Sequence, residues 1–226
     1  MPSDKQKPAS KKKIKSKPNV SRVSFTREKD FLVKTSVIDV ARKMVLEHGY
    51  PALSIRTLMA ALEYSPMVFY RYFPNKRALL HHLWDDIYKE LLASCKVELD
   101  LQKPMKGSRI QKIALKTVDF WLKYPDKYKI VYLNPDTVED SQDKFFVDSL
   151  SVQSYLKQLL AAIDWERKTV RFRNDMSDED ILRSMAIAVQ GITHSLITVS
   201  EFPWGSHKRL CILIVDIWYK GILESQ

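Results

Sequence analysis

Apolar positions recur every three or four residues through most of the chain, the period of a helix with one buried face, so an all-α fold is expected. From Arg27 to His48 the stripe is Phe31, Val37 and Ile38, Ala41, Met44 and Val45, and Gly49 ends it as a glycine after a helix C-terminus does. Ser54 is placed to cap the next helix, which carries Ile55, Leu58, Met59 and Leu62 on one side. Glu63-Tyr64 interrupts the pattern and Ser65-Pro66 restarts it, Ser as a cap and Pro at the first helical position, where its missing N–H is not needed. In that helix Phe69 and Phe73 face inward, while Met67, Tyr70 and Arg71 share the opposite face. Asn75 caps a further helix with a stripe of Leu79, Leu80, Leu83, Trp84, Ile87, Tyr88, Leu91 and Leu92, expected to run over 75–101.

Beyond a break at Lys103 to Gly107, Ser108 opens a helix through Ile110, Ile113, Val118 and Trp121 that ends near Tyr124-Pro125, and a short one with Tyr128, Val131 and Tyr132 follows. A loop over Asn134 to Gln142 leads to a helix from Phe145 to Ile163, and the charged stretch Trp165 to Met176 reads as a connector. The last two helices begin near Asp178 and His207. Each is apolar around most of its circumference and must be covered on more than one side, by the chain's own core or by a second subunit.

The stretch Ser54 to Leu80 thus predicts two short helices crossing through a turn of about 3–4 residues, and a third. A helix-turn-helix places its second helix in the major groove of DNA; an ordinary helical corner has the same spacing.

Charge adds an arm to this picture. The net charge is +10, and residues 1 to 30 hold ten Lys or Arg against three Asp or Glu. Residues 1–26, rich in Lys, Pro and Ser, are too poor in large apolar side chains to offset the entropy of ordering and are expected to be disordered alone. Such an arm follows a phosphate backbone, enters a minor groove, or serves only solubility. No window approaches the roughly 18 apolar residues of a membrane span, so a cytoplasmic location without membrane partners is the expectation. Cys95 and Cys211 stand far apart and read as reduced thiols. His81-His82 point about 100° apart on a helix with no ligand-spaced partner, and no phosphate loop or nucleophile elbow is present, so neither metal, cofactor nor enzyme chemistry is expected.

The runs Ser54-Ile55-Arg56-Thr57-Leu58-Met59, Leu62-Glu63-Tyr64-Ser65 and Phe69-Tyr70-Arg71-Tyr72-Phe73-Pro74-Asn75-Lys76 resemble the DNA-binding domain of TetR-family transcriptional regulators, over about residues 30 to 95. Two positions depart from the family pattern. Glu63 stands where a left-handed Gly is usual, and Met67 where a small residue is common. The resemblance implies a helix-turn-helix domain over 27–80, a larger ligand-binding and dimerisation domain over 81–226, and the helix 75–101 as connector. It implies phosphate contacts from Thr57, Tyr70 and Lys76, base-edge positions at Arg56, Pro66, Met67, Val68, Arg71 and Tyr72, and Ser65 at the same surface. It further implies a homodimer through 178–224, where Gly191 permits close helix approach, binding double-stranded palindromic operator DNA as a repressor released by a small apolar or aromatic effector. Trp84, Tyr88, Trp121, Tyr128, Tyr155 and His194 are the candidate effector-lining residues. Two other classes remain compatible with the residues: a non-specific nucleic-acid binder dominated by the arm, and a helical small-molecule enzyme.

Overall fold

The computed structural model describes residues 20–133 and 145–224, and it is helical almost throughout. Helix α1 spans Val20–His48 and starts seven residues before the expected Arg27, so part of the segment read as a disordered arm is helical. Residues 1–19, the rest of that arm, lie outside the described residues, as does the expected loop at 134–142. Gly49, at φ 78°, stops α1 as anticipated. A 3-10 turn at Tyr50–Ala52 then leads to α2 (Ile55–Ala61), α3 (Pro66–Phe69) and α4 (Lys76–Ser94). The predicted caps form: Ser54 accepts from Thr57 N–H at 3.1 Å and Asn75 from Ala78 N–H at 2.7 Å.

The helix expected over 75–101 is not continuous. It breaks at Cys95, at φ −94° and ψ 6°, and a single turn, α5 (Lys96–Leu99), follows. The helical path then ends at Leu99, where α6 (Arg109–Lys123) intervenes: its buried Arg109 donates to the carbonyls of Glu98 and Asp100 at 2.7 and 2.9 Å and to that of Lys103 at 2.7 Å. Carbonyls that leave the helix for a guanidinium no longer hold the next turn. The Arg109 and Ile110 N–H groups meet the Glu166 carboxylate, which also accepts from the Tyr219 hydroxyl at 2.6 Å. A negative group at the free N–H ends of a helix is favourable, and here it ties α6 to two later elements.

Helix α7 (Pro125–Tyr132) follows α6 directly. The helix expected from Phe145 to Ile163 is instead α8 (Phe145–Asp148) and α9 (Leu150–Arg167), divided at Ser149, whose hydroxyl caps α9 and donates to Asp85 at 2.7 Å. Helix α9 also runs past Trp165, so the connector is shorter than expected; it buries Phe172, bridged to Leu223. The chain closes with α10 (Asp178–Thr198), opened by a capping box between Ser177 and Asp180, and α11 (His207–Ile222).

Helices α1 to α3 pack on one another and on the start of α4, around Val37, Leu58, Met59, Phe69 and Leu80. Helices α6, α9, α10 and α11 pack together around Ile113, Ile163, Ile181 and Val215, with α4 and α7 between the two groups. Helix α7 also touches α1. Among the described residues no helix is long and apolar enough to cross a membrane.

Candidate nucleic-acid interface and ligand cavity

The turn between α2 and α3 is built by backbone. Tyr64 N–H returns to the Met59 carbonyl at 2.9 Å and Glu63 N–H to that of Ala60 at 3.1 Å, the paired bonds of a Schellman end. That geometry needs a left-handed residue, and Glu63 supplies it at φ 58°. Pro66 then begins α3 as expected, but the Ser65 hydroxyl makes no capping bond. Phe69 and Phe73 are buried with ring centroids 5.6 Å apart, so the opposite side of α3 must face outward.

That side carries Met67 at 74% exposure and Tyr70 at 53%, large apolar surfaces that solvent alone does not favour. Arg56, Thr57, Ser65, Pro66 and Arg71 are exposed beside them. Val68 and Tyr72, placed at base edges by resemblance, are half-buried against the core instead. The Thr57 hydroxyl is engaged in the α2 cap, 2.7 Å from that of Ser54. The Lys76 ammonium sits 4.3 Å over the Tyr50 ring and donates to the Tyr50 carbonyl at 3.2 Å, which holds it at the N-terminus of α4. Two side chains of the recognition segment share a partner on α1: Asp30 Oδ1 accepts from Arg71 Nη2 at 3.0 Å and from the Tyr72 hydroxyl at 3.2 Å. Local periodicity gave no sign of Asp30, because the pairing spans 41 residues.

A cavity of about 370 Å³ opens between α4, α6, α7, α8, α9 and α10. Of the six candidate effector residues, Tyr88, Trp121 and Tyr155 line it. Trp84, Tyr128 and His194 do not. Trp84 is turned toward α7, Tyr128 packs behind Trp121 with ring centroids 5.8 Å apart, and His194 is exposed, its Nδ1 3.3 Å from the Tyr128 hydroxyl. Tyr132, an aromatic of the same region, also lines the cavity, and the lining that sequence reasoning missed includes Phe146, Gln190 and Thr193.

The lining is mostly hydrocarbon and ring, with hydroxyls in pairs. Tyr88 and Tyr132 meet at 2.8 Å, and Tyr155 meets Thr117 at 2.7 Å. The Thr117 hydroxyl also donates to the Ile113 carbonyl at 2.8 Å. Burial pushes the Tyr132 phenol up to about 12 and those of Tyr88 and Tyr155 well up too. Among the described residues, no Lys, Arg, Asp or Glu lines the cavity. The cavity can hold an uncharged molecule by apolar contact and a few hydrogen bonds, and would charge a high desolvation cost for an ion.

Residues 37–83 match the sequence family described as bacterial regulatory proteins, tetR family. Among solved structures, the whole fold is similar to NalD, described as the secondary repressor of the MexAB-OprM multidrug efflux pump in Pseudomonas aeruginosa, at 14% identity over 89% of this chain and 100% of that one, with a TM-score of 0.67. It is also similar to the SmeT–triclosan complex, at 14% identity over 85% of this chain and 92% of that one, TM-score 0.65. The ketosteroid transcriptional regulator KstR2 of Mycobacterium tuberculosis aligns at 15% identity over 85% of this chain and 95% of that one, TM-score 0.59. No curated protein sequence matches the chain significantly. At such identities the structures establish the fold, while the sequence match falls on the helix-turn-helix itself. Together they identify residues 37–83 as a helix-turn-helix of the tetR family of bacterial regulatory proteins, within a chain whose whole fold is that of such regulators.

Proposed function

We propose that the protein is a ligand-responsive repressor, which holds a palindromic operator as a homodimer and leaves it when an uncharged apolar or aromatic molecule fills the cavity. The observation that carries this reading is the course of α4. Its first turn bears Lys76, it packs on α1 and buries Leu79 and Leu80 in the core shared with α2 and α3, and its later turns put Tyr88 and Leu91 into the cavity lining. A ligand alters DNA affinity only if it binds the DNA-competent and incompetent states unequally, and an element common to both sites supplies that difference. Functionally, 27–80 is then the reading head, 81–226 the effector and dimer unit, and α4 the link.

In this reading Thr57, Tyr70 and Lys76 position the phosphates, and Arg56, Ser65, Pro66, Met67 and Arg71 face the bases, with Val68 and Tyr72 supporting them from the half-buried side. NalD is named as a repressor and SmeT is described in complex with triclosan, and both descriptions support this reading.

The test is a panel of uncharged aromatic and aliphatic compounds scored for two effects: a rise in melting temperature of the free protein and weaker binding to an operator selected from random duplexes. Both effects are expected from the same compounds, and both should shrink in Trp121→Ala while DNA binding by the free protein persists. Compounds that raise melting without touching operator affinity would refute ligand-controlled release.

A further inference from the structure

Asp30 is an oddity on a surface meant for DNA. Its carboxylate is exposed at 41% beside the recognition segment, where each phosphate repels it. Nothing in the α1 stripe requires an acid there. Yet one of its oxygens holds two consecutive residues of the reading segment, Arg71 and Tyr72, from a different helix.

The two contacts fix Arg71 in a particular way. A free arginine side chain spreads over many rotamers and loses that freedom when it is fixed. Here Asp30 takes one N–H of Nη2, leaving the other donors of the planar fork, while 60% of the side chain stays exposed. The Tyr72 hydroxyl on the same oxygen keeps the carboxylate from following the arginine elsewhere. A guanidinium held in this way presents a bidentate edge, and the base edge that matches it in the major groove is guanine, with O6 and N7 as adjacent acceptors.

We propose that Asp30 is a specificity-determining positioning residue, holding Arg71 so that it reads a guanine and weakening attachment to DNA that lacks one. This rests on the assignment of Arg71 to a base edge. Two effects follow from one carboxylate. Ordering before binding strengthens the correct contact, and the negative charge disfavours a protein–DNA encounter in which Arg71 gains no base. When Arg71 slides to a phosphate instead, it must give up Asp30.

The experiment uses the full chain. Duplexes are first enriched from a random pool on the wild-type protein. The enriched site, its single-base variants and a random duplex are then titrated with wild type, Asp30→Asn, Arg71→Ala and the double variant, with melting recorded for each. Arg71→Ala should erase the preference for guanine at one position in each half-site. Asp30→Asn should lower that same preference by about tenfold, within the range of a bidentate base contact, bind random duplex at least as tightly as wild type, and add nothing in the double variant. Loss of folding stability alone would weaken all duplexes together, and that result would overturn the proposal. So would full retention of the guanine preference in Asp30→Asn while Arg71→Ala abolishes it, which leaves Arg71 a reader without a buttress. If Arg71→Ala keeps every preference, the base-edge assignment itself fails, and the inference fails with it. Should Asp30→Asn not fold, Asp30→Glu, which moves the carboxylate by one methylene, is expected to give the same selective loss.

Discussion

The indole Nε1 of Trp84 donates to the carbonyl oxygen of Ile130 at 2.8 Å, fastening α4 to the last turn of α7 in a buried setting. Carbonyls in a final turn have no intrahelical donor, so the indole does what water does at an exposed helix end. Because α7 touches α1 and puts Tyr132 into the cavity lining, this bond joins two routes between the cavity and the helix-turn-helix. Trp84→Phe keeps an aromatic ring and removes the donor. It is expected to cost about 1–3 kcal/mol, read as a lower urea midpoint with an unchanged slope. An unmoved midpoint would mean that the carbonyl finds another donor.

Glu63 offers the opposite experiment. The Schellman end of α2 forces it to φ 58°, a region that costs a residue with a Cβ roughly 1–2 kcal/mol relative to Gly. Glycine recovers that strain but loses about 0.5–1 kcal/mol to a freer unfolded chain. Glu63→Gly should therefore stabilise the protein by up to about 1 kcal/mol, seen as a higher melting temperature. Glu63→Val, stiff at χ1 and disfavoured at positive φ, should lower it. A melting temperature unchanged in both variants would contradict the strained geometry.

These two sites mark what the sequence made legible. Caps such as Ser54, Asn75 and Ser108 act three residues ahead, so pattern alone located α2, α4 and α6. Glu63 was likewise identifiable as the left-handed position, though by resemblance. The break at Cys95 was not legible, because the apolar stripe runs on through Leu99, and the end of the helical path at Leu99 was not legible either, because the carbonyls beyond it are held by Arg109, whose bonds reach back across a loop. The division at Ser149 has the same character: its partner Asp85 lies on another helix, 64 residues away. Cavity membership was legible only in part, since Tyr88 and Tyr128 look alike in sequence and both meet the Trp121 ring edge-on, yet only Tyr88 of the two lines the cavity. The reading surface owes its residue roles to resemblance. Its internal support, Asp30 and Tyr50, is long-range and left no local signal.

The cavity tyrosines make stability sensitive to alkali. Burial raises the phenols of Tyr88, Tyr132 and Tyr155 above the ordinary value near 10, Tyr132 to about 12. A group whose folded pKa is raised gives stability that is complete below the unfolded pKa and lost as pH rises through the folded one. Stability should thus show no tyrosine contribution to its slope below about pH 9, then fall above pH 10 by up to about 1.4 kcal/mol per pH unit for each buried phenol. Tyr88→Phe with Tyr132→Phe removes two of them and should flatten the alkaline fall measured by urea titration. An equally steep fall in that variant would mean that other groups dominate.

The basic arm has a separate signature. If residues 1 to 19 lie along phosphates, deleting them should make the logarithm of affinity less steep against the logarithm of salt, by roughly 0.9 for each phosphate that the arm had neutralised. The deletion leaves α1 whole from Val20. A slope equal to that of the full chain would leave the arm a solubilising segment.

The outer faces of α10 and α11 carry the argument for two copies. Ile187 on α10 is 73% exposed and Ile217 on α11 60%, with Ile212 and Leu213 of α11 about half exposed, apolar surface that water disfavours. Gly191 lies on the same side, and a Cβ added there would meet nothing within 4 Å in the single chain. Packing within the protomer therefore gives no reason for glycine, whereas a second helix crossing close by would. Two variants follow, and neither should harm the fold, because both sites are open in the protomer. Ile187→Glu buries a charge only if a second subunit covers it, and Gly191→Leu creates a clash only if another helix lies against it. Both are expected to keep full helical content by circular dichroism while light scattering reports a monomer. On DNA, the monomer should retain binding to a single half-site but lose the gain from engaging two at once, since the second half-site no longer benefits from the high effective concentration that a dimer provides. A helical, dimeric Ile187→Glu that still favours the palindrome would place the subunit contact on another face.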